Sequence, residues 1–142
     1  MELIRSWMFV PGHRQKMIDK ALGLNADAIM LDIEDGVAPN EKDAARRNIA
    51  DSLGREKAPG TPARYVRINA IGHPRMDADL EAVVRPGLEG LVCPKVDTPD
   101  EVRKIDGVVD CRIMQRLDYP QYMIQVNQAK AADIGLTQVD VM

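Results

Sequence analysis

A chain of 142 residues can bury one core, yet it is short for a complete eight-stranded (β/α) barrel, which takes about 250 residues. Its net charge of −3 and pI near 5.4, without a basic stripe, exclude a nucleic-acid footprint and favour small-molecule chemistry. No stretch approaches the ~20 apolar residues of a membrane span and no leader pattern opens the chain, so the sequence reads as a soluble cytoplasmic protein without a membrane partner.

The elements run in regular order. Ser6-Trp7-Met8-Phe9-Val10 reads as a strand stopped by Pro11-Gly12, and residues 13–24 carry Met17, Ile18, Ala21 and Leu22 at helical spacing. A second strand over 27–35 leads through Pro39-Asn40 into a helix over 41–53, with Asn40 as N-cap and Gly54 as the stop. After a loop rich in Gly, Pro and charge, residues 64–69 form a third strand, and a helix starts near Asp77 with Leu80, Val83 and Val84 on one face. Residues 90–96 form a fourth strand, and Thr98-Pro99-Asp100-Glu101 opens a fourth helix with Thr98 as N-cap and Pro99 at N1. Four β-α units in succession imply parallel strands with right-handed crossovers. The periodicity leaves open whether they form a doubly wound sheet or part of a barrel.

The second strand is the most informative. Ala28-Ile29-Met30-Leu31 is a continuous apolar run, as a strand covered on both faces should be, and it ends in Asp32, Glu34 and Asp35. Active sites of α/β folds gather at that end of the sheet. The competing reading is that these carboxylates cap the next helix and solvate the turn.

Beyond Gly107 the composition changes. Every glutamine except Gln15 lies there, and no glutamate follows Glu101. Residues 111–117 read as strand or helix, Tyr119-Pro120 breaks them, and residues 121–132 read as an amphipathic helix. The chain thus divides into a β-α domain over 1–106 and a divergent tail over 107–142, truncated or frameshifted relative to a longer protein. Cys93 and Cys111 stand far apart with only His13 and His73 to accompany them, so they read as reduced core residues rather than zinc ligands or a disulfide.

Four motifs in order carry a resemblance: Arg5-Ser6-Trp7-Met8-Phe9-Val10-Pro11-Gly12; Asp32-Ile33-Glu34-Asp35 with Pro39, Lys42 and Arg46; Arg64-Tyr65-Val66-Arg67-Ile68-Asn69; and Gly87-Leu88-Glu89-Gly90-Leu91-Val92-Cys93-Pro94-Lys95-Val96. Together they resemble the N-terminal half of the HpcH/HpaI aldolase/citrate lyase β-subunit family, malyl-CoA lyases included, over residues 4–106. The resemblance implies an α/β fold that is a partial TIM (β/α)8 barrel, the first four units followed by an atypical tail. It also implies a Mg2+-dependent carbon–carbon lyase that splits a 3-hydroxyacyl-CoA into acetyl-CoA and an oxo-acid.

By position in the motifs, Arg67 resembles the family's catalytic and substrate-contacting arginine, a group able to meet enolate charge without losing its proton. Phe9, Arg14 and Lys20 stand where relatives contact acyl-CoA; the alternatives are a core aromatic and a solvated helix face. For Arg67 the alternative is a surface ion pair with Asp32, Glu34 or Asp35. The resemblance gives these three carboxylates an indirect role, orienting Arg67 and metal-bound water. Direct Mg2+ ligands in relatives are a glutamate after the fifth strand and an aspartate after the sixth, and the expected glutamate segment is absent here. No ligand role passes to Asp110, Asp118, Asp133 or Asp140, so no metal ligand is assigned. Asp32, Glu34, Arg67 and Lys95 are expected near the C-terminal rim of four parallel strands. A homo-oligomer or a partner-dependent chain is expected from the open edges of a half-barrel. Two other readings stay open: a truncated, non-catalytic chain that binds CoA or a partner, and a metal-dependent aldolase acting on a free oxo-acid.

Overall fold

The computed structural model describes residues 4–103 and 105. Strands β1 (Trp7–Pro11), β2 (Ala28–Asp32), β3 (Ala63–Arg67) and β4 (Gly90–Val92) alternate with helices α1 (Gln15–Leu22), α2 (Lys42–Leu53), α3 (Met76–Val83) and α4 (Pro99–Val102). The strands form one sheet in the order β1-β2-β3-β4, every pair parallel. The readings at residues 107–142, including Cys111 and the four late aspartates, lie outside the described residues.

Side chains alternate along each strand, so register sorts them by face. Val10, Ile29, Leu31 and Val66 share one face and join Ile18 of α1, Ile49 and Leu53 of α2 and Val83 of α3 in a single buried cluster. The helices therefore cover that face together, and Cys93 packs against the same cluster. The opposite face carries Trp7, Phe9, Met30, Tyr65, Asp32 and Arg67. There the Trp7 and Tyr65 rings meet at 4.7 Å between centroids, and Gly90 leaves room for Tyr65, whose ring a β-carbon would approach to 2.8 Å.

Several boundaries differ from the sequence expectation: β1 runs on through Pro11, α1 is shorter at both ends, and β3 covers 63–67 rather than 64–69. β2 closes at Asp32, not at residue 35, because the Asp32 carboxylate accepts hydrogen bonds from Glu34 N (2.8 Å) and Gly36 N (2.9 Å) and so turns the chain. α2 takes Glu41 as its N-cap in place of Asn40. β4 stops at Val92, since Pro94 has no N–H for the ladder and Lys95 turns left-handed at φ 56.

Candidate active site at the strand ends

The last rung of the sheet brings Pro11, Asp32 and Arg67 side by side on the face opposite to helices α1, α2 and α3. Asp32 and Arg67 form a two-pronged pair: Nε donates to Oδ1 at 2.9 Å and Nη2 to Oδ2 at 2.8 Å. This fork matches guanidinium to carboxylate geometry and fixes the arginine's plane. Burial alone would raise the Asp32 pKa. The Arg67 hydrogen bonds, the Glu34 N–H and the arginine charge outweigh it and hold the carboxyl below its usual range. Arg67 is raised in turn, chiefly by its hydrogen bonds to Asp32.

Glu34 completes the cradle. Its Oε2 lies 3.2 Å from Arg67 Nη1 and its Oε1 lies 2.7 Å from Lys95 Nζ, while its side chain is only 5% exposed. Neither oxygen has a well-aligned hydrogen bond; both are met by charge. The exposed Asp35 reaches Lys95 at 3.4 Å. Arg67 keeps 22% of its side chain open and lies over Phe9, with Cζ 5.3 Å from the ring centroid. Three of its five N–H groups face carboxylates, so donors remain for an incoming anion.

Of the residues singled out from sequence, the structure thus brings together Phe9, Asp32, Glu34, Asp35, Arg67 and Lys95. Arg14 stands at the same end of the sheet, at the N-cap of α1, where its Nε donates to His13 Nε2 at 2.8 Å. That bond uses the nitrogen that also lies 3.6 Å from Glu41, so the His13–Glu41 approach is secondary. Lys20 is apart from the group, exposed in the last turn of a helix that runs back from the rim.

Sequence reasoning missed a support beneath the rim. The buried Lys42 ammonium donates to Ile33 O (2.6 Å), Glu34 O (2.9 Å) and Asn69 Oδ1 (2.8 Å), pinning the main chain that carries Glu34. Burial lowers its pKa, opposed by the charges of Asp79, Asp32 and Glu34. Asn69 N donates to Asp79 Oδ2 (2.9 Å), and Asp79, fully buried, accepts from Arg46 Nε at 2.8 Å. The signal was present: Lys42 shares a helical face with Ala45, Ile49 and Leu53, and Asp79 stands four residues before Val83. A charged residue on an apolar face is a buried one that has found partners.

The described residues do not fit a direct magnesium site. No group of three His, Cys, Asp or Glu side chains is placed to hold a metal ion among them, and the rim carboxylates Asp32 and Glu34 are engaged by Arg67 and Lys95. No helix among the described residues is long and apolar enough to cross a membrane.

A profile of the HpcH/HpaI aldolase/citrate lyase family matches residues 5–119, continuing past residue 106. The chain is 40% identical over 102 residues to citrate lyase subunit beta of Escherichia coli (strain K12), covering 72% of this chain and 33% of that protein. It is 39% identical over 101 residues to mitochondrial citramalyl-CoA lyase of Rattus norvegicus, covering 70% and 30%. Among solved structures, the CitE protein of Mycobacterium tuberculosis in complex with magnesium, acetoacetate and coenzyme A is similar at TM-score 0.58 and 34% identity, over 70% of this chain and 36% of that one. The chain spans about a third of the length of these curated relatives.

Proposed function

The chain belongs to the HpcH/HpaI aldolase/citrate lyase family, and from that premise we propose that its rim site serves a carbon–carbon lyase that splits a 3-hydroxyacyl-CoA into acetyl-CoA and an oxo-acid. The observation that carries this reading is Arg67, locked by Asp32 and Glu34 at the C-terminal ends of the strands with donors to spare. As the carbon–carbon bond breaks, negative charge grows on the thioester oxygen. A donor already oriented in a partly dry site stabilises it without reorganising. Phe9 offers a flat apolar contact beneath, and Arg14 a phosphate-matched cation at the same end of the sheet; Lys20 contacts acyl-CoA only if the bound molecule extends down the outside of α1.

A partial (β/α)8 barrel is the architecture this reading requires. The unreversed order β1-β2-β3-β4 and the gathering of helices on one face support it, because a doubly wound sheet reverses its order and covers both faces. Magnesium, present in the solved relative, enters here as a requirement of the whole enzyme. The described residues orient Arg67 and supply no ligand set for the ion. With no glutamate after Glu101 to match the ligand that the family resemblance leads one to expect, the 142-residue chain is expected to cleave citryl-CoA or malyl-CoA poorly or not at all. The β1 edge, unpaired among the described residues and with Met8 42% and Phe9 59% exposed, supports a homo-oligomeric or partner-dependent state.

A coupled assay for acetyl-CoA release with excess Mg2+, run beside Arg67→Ala, tests the reading. Little or no turnover by the chain is expected. Robust turnover abolished by both EDTA and the substitution would overturn the inactivity and keep the lyase; robust turnover indifferent to Arg67 would overturn the assignment of the site.

A further inference from the structure

Among the described residues, Lys95 is the one non-glycine with a left-handed backbone, at φ 56. A β-carbon disfavours that region, and such outliers gather where a side chain must be aimed. The turn through Pro94 sends the Lys95 ammonium from the end of β4 to the loop after β2, where it lies 2.7 Å from Glu34 and 3.4 Å from Asp35. Glu34 is then a buried carboxylate shared by two cations, Lys95 on Oε1 and Arg67 on Oε2. Held by charge rather than by aligned hydrogen bonds, it has little else to fix its orientation.

The charges at this spot balance only with Lys95. Arg67 between Asp32 and Glu34 makes a trio of net charge −1, a sign that repels an anion. Lys95 brings that group to zero. Among the described residues, the charged groups around Glu34 are Arg67 from β3, Lys95 from the turn after β4, Lys42 from α2, and Asp32 and Asp35 on either side.

We propose that Lys95 is a positioning residue for Arg67, acting through Glu34: its ammonium pins the carboxylate against the guanidinium and cancels the charge that Glu34 adds beside it. This rests on the proposed function only for what Arg67 then does to a substrate. The geometry itself needs none.

The test is guanidinium rotation in the full chain, followed by nitrogen NMR, with the Arg67 Nε–H signal assigned by its loss in Arg67→Lys. In Lys95→Met the Arg67 guanidinium should rotate about fivefold faster than in the parent, the scale of one partly exposed ion pair. Lys95→Arg should restore the parent rate to within about twofold. Glu34→Gln, made without touching the β4 turn, should match Lys95→Met, and the double variant should add nothing further. An unchanged rate in Lys95→Met, or additive effects in the double variant, overturns the proposal. A lysine that merely held its own turn would move the amides of residues 93, 95 and 96 and leave the Arg67 rate alone. Because the readout registers no turnover, a failed lyase assay leaves this result standing.

Discussion

Arg64 and Arg67 belong to the same short strand, β3, and point to opposite faces of the sheet. Arg64 is 2% exposed on the helix-covered side, and its guanidinium donates to the carbonyls of Ser52 (3.1 Å), Leu53 (3.3 Å), Arg55 (2.9 Å) and Glu56 (3.4 Å). Ser52 and Leu53 belong to the last turn of α2, whose carbonyls a helix cannot satisfy from within, and Arg55 and Glu56 lie in the loop that follows it. Arg67 instead meets carboxylates on the opposite side and keeps part of its surface open. The residue type is the same, and partner chemistry separates the roles. An arginine spent on main-chain carbonyls is architecture, whereas one oriented by carboxylates with donors left over can still act on a ligand.

The contrast predicts that disturbing the Arg64 end unfolds the chain and disturbing the Arg67 end mostly disarms it. The largest effect is expected at Gly87, where φ is +97 and a β-carbon would stand 2.2 Å from Leu53 O, one of the carbonyls Arg64 caps. Gly87→Ala should cost about 4 kcal/mol, combining backbone strain with overpacking, as read from urea unfolding. Arg64→Met comes next, at about 3 kcal/mol, because it leaves several carbonyls without a donor in a dry place. Should Arg67→Met prove as destabilising as Arg64→Met in the same titration, the division of labour drawn here fails.

At the other end, Gly36 is the counterpart of Gly87. A β-carbon there would lie 2.4 Å from Asp32 Oδ2, a side-chain atom rather than main chain, so the strain can be relieved by tilting the carboxylate. Gly36→Ala should therefore cost only about 1 kcal/mol of stability. Its larger consequence should be a displaced fork, visible as faster rotation of Arg67. A stability loss equal to that of Gly87→Ala would show that the Asp32 turn is structural rather than a device for aiming Arg67.

Much of this was legible in the residues. Apolar runs ending in polar groups gave four strands and their direction, and the motif order gave Arg67 its carboxylate neighbours. What escaped was set by distance in the chain. The end of β2 could not be placed from propensity, because Asp32 turns the backbone with its own side chain. Lys95 could be placed on the rim, but its reach of sixty-one residues back to Glu34 depends on a left-handed turn that a lysine does not advertise. The Lys42–Asn69–Asp79–Arg46 network likewise joins α2, the end of β3 and α3, and only tertiary packing brings those three together. Arg64 and Arg67 were read in one strand motif, yet the meaning of their opposite parity waited on knowing which face the helices cover.

The smallest effect is expected from pH, and it isolates the Asp32 fork. The folded pKa of Asp32 lies below its unfolded value, so between the two the unfolded chain holds more protons than the folded one. The stability contributed by the fork is therefore complete above the unfolded pKa, near 4, and is lost as pH falls from there through the folded value. Asp32→Asn has no proton to gain. At neutral pH it should be less stable than the parent, because an amide is a poorer partner for the guanidinium. As the medium is acidified below about pH 4, the unfolded parent takes up its Asp32 proton before the folded one does, so the gap between the two proteins should narrow. Asp27, just before β2, is also held below its ordinary range by Arg5, so Asp27→Asn serves as a control far from the rim. Urea midpoints for the three proteins between pH 7 and pH 3 decide the point. A gap between parent and Asp32→Asn that persists unchanged to pH 3 would mean that the fork is not what Asp32 contributes, and that the Glu34 and Gly36 amides alone hold the turn from which Arg67 is aimed.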